Sequence, residues 1–168
     1  MTVFAVSSVL FGFLIQLFAG QYGLDWIWIS AQVRAESSFD PRAESPVGAK
    51  GLMQIMDSTA DWLAGISGEL LYDPKLNLRI GTYYMQYLKR WWLKRGVKDY
   101  RFALASYNCG AGRVYRVWKK RKGTYESIER ELPVETIHYV RRIVRWANLW
   151  NSAANFIDGL DQSLGRVR

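Results

Sequence analysis

Arg34 to Met56 reads RAESSFDPRAESPVGAKGLMQIM. An apolar, aromatic run leads into Glu36. Asp40-Pro41, Ser45-Pro46 and Gly48-Ala49-Lys50-Gly51 follow, and the chain turns apolar again at Leu52. A residue before proline is pushed out of the helical region, so the helix that carries Glu36 must end here and a turn-rich loop begin. Upstream, Leu24, Ile27, Trp28, Ala31 and Ala35 recur at helical spacing and predict a buried helix over about Leu24 to Ser37. The pattern therefore sets a carboxylate at the end of an apolar helix, under a long loop.

Beyond the loop the helical signals continue. Asp57 is a candidate N-cap for a helix running to about Ala64. Asp73 caps another, with Pro74 at its first position. Leu78, Gly81, Thr82, Met85, Leu88 and Leu93 mark that helix's inner face, and Gly96 stops it. DYRFALASYNCGAGRVYRVWKKRKG reads as a helix, a break at Asn108 to Gly112, and a short basic helix. PVETIHYVRRIVRWANLW reads as a last amphipathic helix with Ile137, Val140, Ile143, Val144 and Ala147 on its apolar face. No hairpin or repeat is expected. The fold class is mainly α, in one domain, with a boundary expected near residue 20 and a loosely held tail at 156–168.

Val3 to Gly20 carries no charge. As a helix it would be about 27 Å long, just enough to cross a hydrocarbon core of about 30 Å. A membrane anchor, a signal broken near Ala19 and a buried first helix all fit. No Lys or Arg precedes Arg34, which weakens the secretory reading. Membrane insertion is the favoured expectation for residues 3–20.

Composition narrows the chemistry. The 168 residues carry a formal net charge of +8, which draws the chain to polyanions such as nucleic acid, anionic lipid or an acidic wall polymer. Aromatic residues make up 15% of the chain, more than a core alone demands, and exposed aromatics suit sugars, membranes or bases. One cysteine, Cys109, excludes an internal disulfide. One histidine, His138, argues against a His-rich zinc site and a Ser-His-Asp triad. No metal and no cofactor are expected.

Four groups of residues stand out as a site. A carboxyl in an apolar cleft has its charged form disfavoured and its pKa raised. Glu36, if held protonated at neutral pH, could protonate a glycosidic oxygen. The bland alternative is a solvated helix end. GLMQIM places Met53, Gln54 and Met56 before a helix, offering amide donors and acceptors and an adaptable apolar wall. ASYNCGAG places Tyr107 and Asn108 at a glycine-rich break where backbone can approach a ligand; the bland readings are core tyrosine and helix cap. PVETIHYV places Glu135 beside a proline break, where a cap is the ordinary role.

ESSFDPRAESPVGAKGLMQIM, ASYNCGAGRV and ETIHYVRRI occur in this order. Together they resemble the three signature blocks of the family 1 soluble lytic transglycosylase (SLT) catalytic domain, related to goose-type lysozymes. The likeness spans about Leu24 to Leu149, and three separated blocks agree in order.

The resemblance implies a helical, lysozyme-like fold, with the catalytic domain over 21–155. It implies cleavage of the β-1,4 bond between N-acetylmuramic acid and N-acetylglucosamine in peptidoglycan. There the muramyl C6 hydroxyl closes on C1 and leaves a 1,6-anhydro end. Glu36 would be the sole acid, then base. Ser45 would bond the glycan near the cleaved bond, and Gln54 and Met56 would line the muramyl subsite. Tyr107 and Asn108 would fix Glu36 and an N-acetyl group, and Glu135 would close the cleft. Cys109 departs from the family's usual alanine and leaves a thiol near the cleft, reactive if exposed.

Conventional glycosidases need two carboxylates, about 5 Å apart for retention and about 6.5–9.5 Å for inversion. Here Glu44 is the only serious second carboxylate, and an intramolecular nucleophile removes the need for it. Two alternatives remain. One is a water-using muramidase of the same fold that employs Glu44. The other is a basic, non-catalytic module binding wall, membrane or nucleic acid through LKRWWLKRG and RVYRVWKKRKG. The intact Glu36, Gln54, Tyr107 and Asn108 set argues against a mere binder. Peptidoglycan strands are the expected partner, nucleic acid is not, and a secretion apparatus or a virion would be the setting. The expected location is the cell envelope, with a virion-associated phage protein as the alternative.

Overall fold

The structure, a computed structural model, describes the backbone of residues 3–165 and the side chains of residues 10–156. Among the described residues there are eight α-helices and no strand: α1 Val3–Tyr22, α2 Trp26–Ser37, α3 Asp57–Ala64, α4 Pro74–Leu93, α5 Tyr100–Cys109, α6 Ala111–Arg121, α7 Tyr125–Glu129 and α8 Val134–Gly165. A 3₁₀ turn, Gly68–Tyr72, precedes α4. The helices were legible except for α7 and the 3₁₀ turn, which are too short to show a period.

Local chemistry sets the helix ends. Asp25 accepts the Ile27 N–H at 2.8 Å and starts α2. Asp73 accepts the Leu76 N–H at 2.7 Å with Pro74 in the first turn of α4, as the sequence predicts. Asp57 does not cap α3. Its carboxylate pairs instead with Lys50 at 2.9 Å and accepts the Gly68 N–H at 3.0 Å, so it ties the loop to the 3₁₀ turn. The last helix also differs from expectation. It runs without a break past Asn155 to Gly165, so the segment from 156 begins as a continuation of α8.

The core lies where α4 and α5 meet α1, α6 and α8, and α2 packs along α8. Trp92 of α4 is fully buried against Phe102, Trp118 and Tyr115, with ring centroids 4.8 to 6.5 Å away. Its indole N–H donates to Ser106 at 2.8 Å, and Ser106 donates to the Phe102 carbonyl at 2.7 Å. A buried tryptophan thus keeps its polar edge satisfied.

The first helix contributes to the core. Phe11, Leu14, Ile15, Phe18 and Ala19 are buried core residues, and α1 packs on α4 and α2. From residue 10 onward this packing accounts for one face of the helix, as the buried-helix reading had it, while Leu10, Phe13 and Leu17 on the other face are exposed. The side chains of residues 3–9 lie outside the described residues. Among the described residues, no helix is long and apolar enough to cross a membrane.

Candidate active site

The site begins where α2 stops. Ser38 and Phe39, just past Glu36, both take left-handed backbone angles, with φ of 53° and 67°. Such angles are costly for a bulky residue and persist only where the surroundings impose them. Ser37 supplies part of that constraint by donating to the Leu52 carbonyl at 2.9 Å. Gln54, across the loop, is the third such residue, at φ 48°.

The loop between Phe39 and Met56 is held mainly by its own backbone and by one buried side chain. Short antiparallel bridges join Glu44 to Lys50 and Lys50 to Ile55. Asn77 of α4, with no exposed surface, accepts the Met53 N–H at 2.7 Å and donates to the carbonyls of Lys50 and Leu71, each at 2.8 Å. Gly81 of α4 lets this loop seat: a Cβ there would collide with Met53.

Against this frame sits Glu36. Tyr139 of α8, buried, donates its hydroxyl to Glu36 Oε1 at 2.6 Å. Burial pushes the Glu36 carboxyl up to about 7, against the pull of the Tyr139 hydrogen bond, the Arg142 charge and the Gln32 amide; the nearby charge of Glu135 adds to the rise. Glu36 is nonetheless partly open to solvent at the residue level, so a ligand can reach a carboxyl that is crowded on its other sides. Half its population is therefore protonated near neutrality, as a general acid requires.

Tyr107 of α5 donates its hydroxyl to the Met53 carbonyl at 2.8 Å, and Asn108 accepts the Thr136 hydroxyl at 2.7 Å. These two bonds lock α5 to the loop and to α8. Burial raises the hydroxyl pKa of both Tyr107 and Tyr139 well above the ordinary range, with the Glu36 charge adding to it, so both remain donors.

The sequence-predicted residues divide into two groups. Glu36 and Tyr107 come together from α2 and α5, near enough for the Glu36 charge to act on the Tyr107 hydroxyl; Asn108, next to Tyr107, is tied to Thr136 of α8; and Glu135 stands exposed on the first turn of α8, close enough to act on Glu36 by charge. Ser45 and Gln54 spend much of their polarity on the loop. The Ser45 hydroxyl accepts the Ala49 N–H at 3.0 Å, and the Gln54 amide donates to the carbonyls of Ala43 and Gly51. Met56, 38% exposed, stands just before α3.

Tyr139, Thr136, Gln32 and Asn77 were missed. Gln32 is wholly buried one turn before Glu36, and its amide makes no well-formed hydrogen bond. It still lies near enough to Glu36 and Tyr139 to bear on both. Its signal was available: a glutamine at i−4 from the acid, on the apolar face. Cys109 is not an activated thiol, because burial raises its pKa.

Removing the Tyr139 hydroxyl tests the geometry without reference to any reaction. In Tyr139→Phe the carboxylate loses its best donor. The Glu36 pKa is expected to rise from its value of about 7, read by a carbon-13 NMR titration of the labelled side chain. An unchanged or lower value would show that this hydrogen bond does not govern the acid.

Among known proteins, the transglycosylase SLT domain model matches residues 13–130. The chain belongs to the transglycosylase SLT family. The match starts inside α1, in keeping with its packing, and ends before α8 supplies Tyr139 and Thr136. The soluble lytic murein transglycosylase of Escherichia coli K12 is 44% identical over 96 residues, covering 52% of this chain and 14% of that protein. The membrane-bound lytic murein transglycosylase C of Yersinia pestis is 38% identical over 120 residues, covering 65% and 34%. Among solved structures, an inactive mutant of lytic transglycosylase Slt from Pseudomonas aeruginosa superposes with a TM-score of 0.75 at 30% identity, covering 84% of this chain and 24% of that one. The 70-kDa soluble lytic transglycosylase in complex with bulgecin A gives 0.74 at 29% identity, over the same shares. The SLT chain described here thus spans between 14% and 34% of the length of these relatives.

Proposed function

We propose that this SLT chain is a peptidoglycan lytic transglycosylase acting at the cell envelope. It cleaves the β-1,4 bond between N-acetylmuramic acid and N-acetylglucosamine and leaves 1,6-anhydro ends. The observation that carries the reading is a single carboxyl, Glu36, held near pKa 7 at the junction of three helices and a strained loop. Glu36 protonates the glycosidic oxygen as the bond to C1 breaks. The resulting carboxylate then takes the proton of the muramyl C6 hydroxyl as that oxygen closes on C1. Proton count balances, and no water is consumed. Ser45, Gln54, Met56, Tyr107, Asn108 and Glu135 are the residues proposed to hold the glycan around that centre. The names of the relatives, lytic murein transglycosylases both soluble and membrane-bound, support the same reading.

A muramidase that uses Glu44 is disfavoured by a specific contact. Glu44 accepts the Tyr72 hydroxyl at 2.7 Å and thereby raises the pKa of that tyrosine to about 12. Its carboxylate is committed to Tyr72 in an exposed contact. Asp57 is likewise committed to Lys50.

Digestion of purified peptidoglycan by the chain, with mass spectrometry of the sugar ends, tests the proposal. Ends lighter by one water are expected. Reducing ends in their place would make the protein a hydrolase and return Glu44 to the second position.

A further inference from the structure

Two stretches of the chain are strongly basic, residues 111–123 and α4 with the turn that follows it, and the second carries a cavity as well. Residues 74–98 contain seven Lys and Arg and no Asp or Glu. The ion pairs formed among the described residues engage none of these seven. On the outer face of α4, Tyr83, Gln86, Tyr87, Arg90, Trp91 and Lys94 line an open cavity of about 200 Å³.

A line of rings connects this face to the site. Tyr107, whose hydroxyl fixes the Met53 carbonyl, stands 5.2 Å from the Tyr84 ring. Tyr84 stacks on Tyr87 at 6.3 Å with planes 16° apart, and Tyr87 meets Trp62 at 5.2 Å. The line starts buried and ends in solvent: Tyr87 is 39% exposed and Trp62 is 60% exposed. Rings left open to water in a row suit the apolar faces of sugars. Cations with no carboxylate partner suit anionic substituents carried on the same strand.

We propose that Trp62 and Tyr87, with Arg90 and Lys94, form a second binding surface that holds the substrate strand away from the cleaved bond. The rings take the sugars, and the two cations take the carboxylates of the peptides borne on the muramyl units. The inference rests on peptidoglycan being the substrate. A glycan is favoured over a lipid surface because the rings run continuously from Tyr107, at the acid, to the cationic cavity.

The test uses the full chain with Glu36→Gln, so that binding is read without turnover. Adding Arg90→Ala and Lys94→Ala is expected to weaken binding to intact sacculi about tenfold or more, the loss of one or more charge-assisted contacts. The loss should disappear on glycan stripped of its peptides by an amidase, whereas Trp62→Ala should weaken binding to both materials. Unchanged binding to sacculi in both variants would overturn the proposal. Equal loss on intact and stripped glycan would overturn the role given to the cations. Loss of binding to anionic phospholipid vesicles with sacculus binding intact would instead assign the face to a membrane. Product analysis separates the two readings: anhydro ends with an unaffected variant would remove only this surface, and a true binding loss without anhydro ends would remove only the transglycosylase.

Discussion

A chain with Glu36→Gln is expected to lose turnover by about a thousandfold or more, since the proposed mechanism asks one group to serve as both acid and base, and yet to lose no stability at neutral pH. The reason lies in the raised pKa. The native carboxyl holds its proton up to about pH 7, against an ordinary value of 4.5. Between those values the native state binds more protons than the unfolded chain, so stability falls as pH rises from about 4.5 to about 7 and is flat beyond. The Gln variant has no such proton to lose, and its amide oxygen can still accept from Tyr139. At pH 8 it should be more stable than the parent by on the order of 1–3 kcal/mol, a bound set by the size of the shift and discounted for partial exposure. That is a gain of several degrees in Tm for a chain of this length. At pH 4 the two should melt alike. Parent activity should decline about tenfold per pH unit above 7, as the acid form is depleted. Melting curves from pH 4 to 8 and a pH-rate profile check both parts. Near-normal turnover in the variant would sink the mechanism. A variant that melts well below the parent at pH 8 would make Glu36 structural instead.

How much of this was legible depends on where the information sits. The end of α2 at Glu36 was readable because two X-Pro steps and an apolar stripe are local signals. So was the start of α4, where Asp73 and Pro74 act within one turn. Tyr139 was not readable in that way. It lies among Thr136, Val140 and Ile143 on the buried side of α8, where a tyrosine reads as core. Only the docking of α8 on α2 shows that its hydroxyl ends on the acid. Asp57 misled for the opposite reason. It stands at a good capping position, but tertiary partners, Lys50 and Gly68, outbid the local one. The first helix was ambiguous because an uncharged run of helical length looks the same whether lipid or protein covers it. Residues such as Phe11, Ile15 and Phe18 become core only once α4 and α2 are in place.

Asn77 tests the frame rather than the chemistry. Asn77→Leu keeps the branched shape of the side chain and favours the helix but leaves three backbone groups of the loop and 3₁₀ turn without partners: the Met53 N–H and the carbonyls of Lys50 and Leu71. Each buried orphan costs about 1–3 kcal/mol, and solvent near Lys50 will recover part of that. A total on the order of 4 kcal/mol corresponds to a fall in Tm of about 8–16 °C. Activity should fall as well in chains that remain folded. The Met53 peptide that Asn77 holds by its N–H is the same segment whose carbonyl receives Tyr107. The loop's freedom would therefore pass directly to the ring beside Glu36. Gly51→Ala should act on the same joint, because a Cβ at that left-handed glycine would run into the Asn77 amide and the Leu71 carbonyl. The double variant should then cost less than the sum of the two single losses, as neighbours sharing one network do. Thermal melts of the four chains measure this. Additive losses, or an Asn77→Leu chain melting within about 2 °C of the parent, less than one such orphan should cost, would mean that the loop is held by its own backbone bridges, with no need of α4.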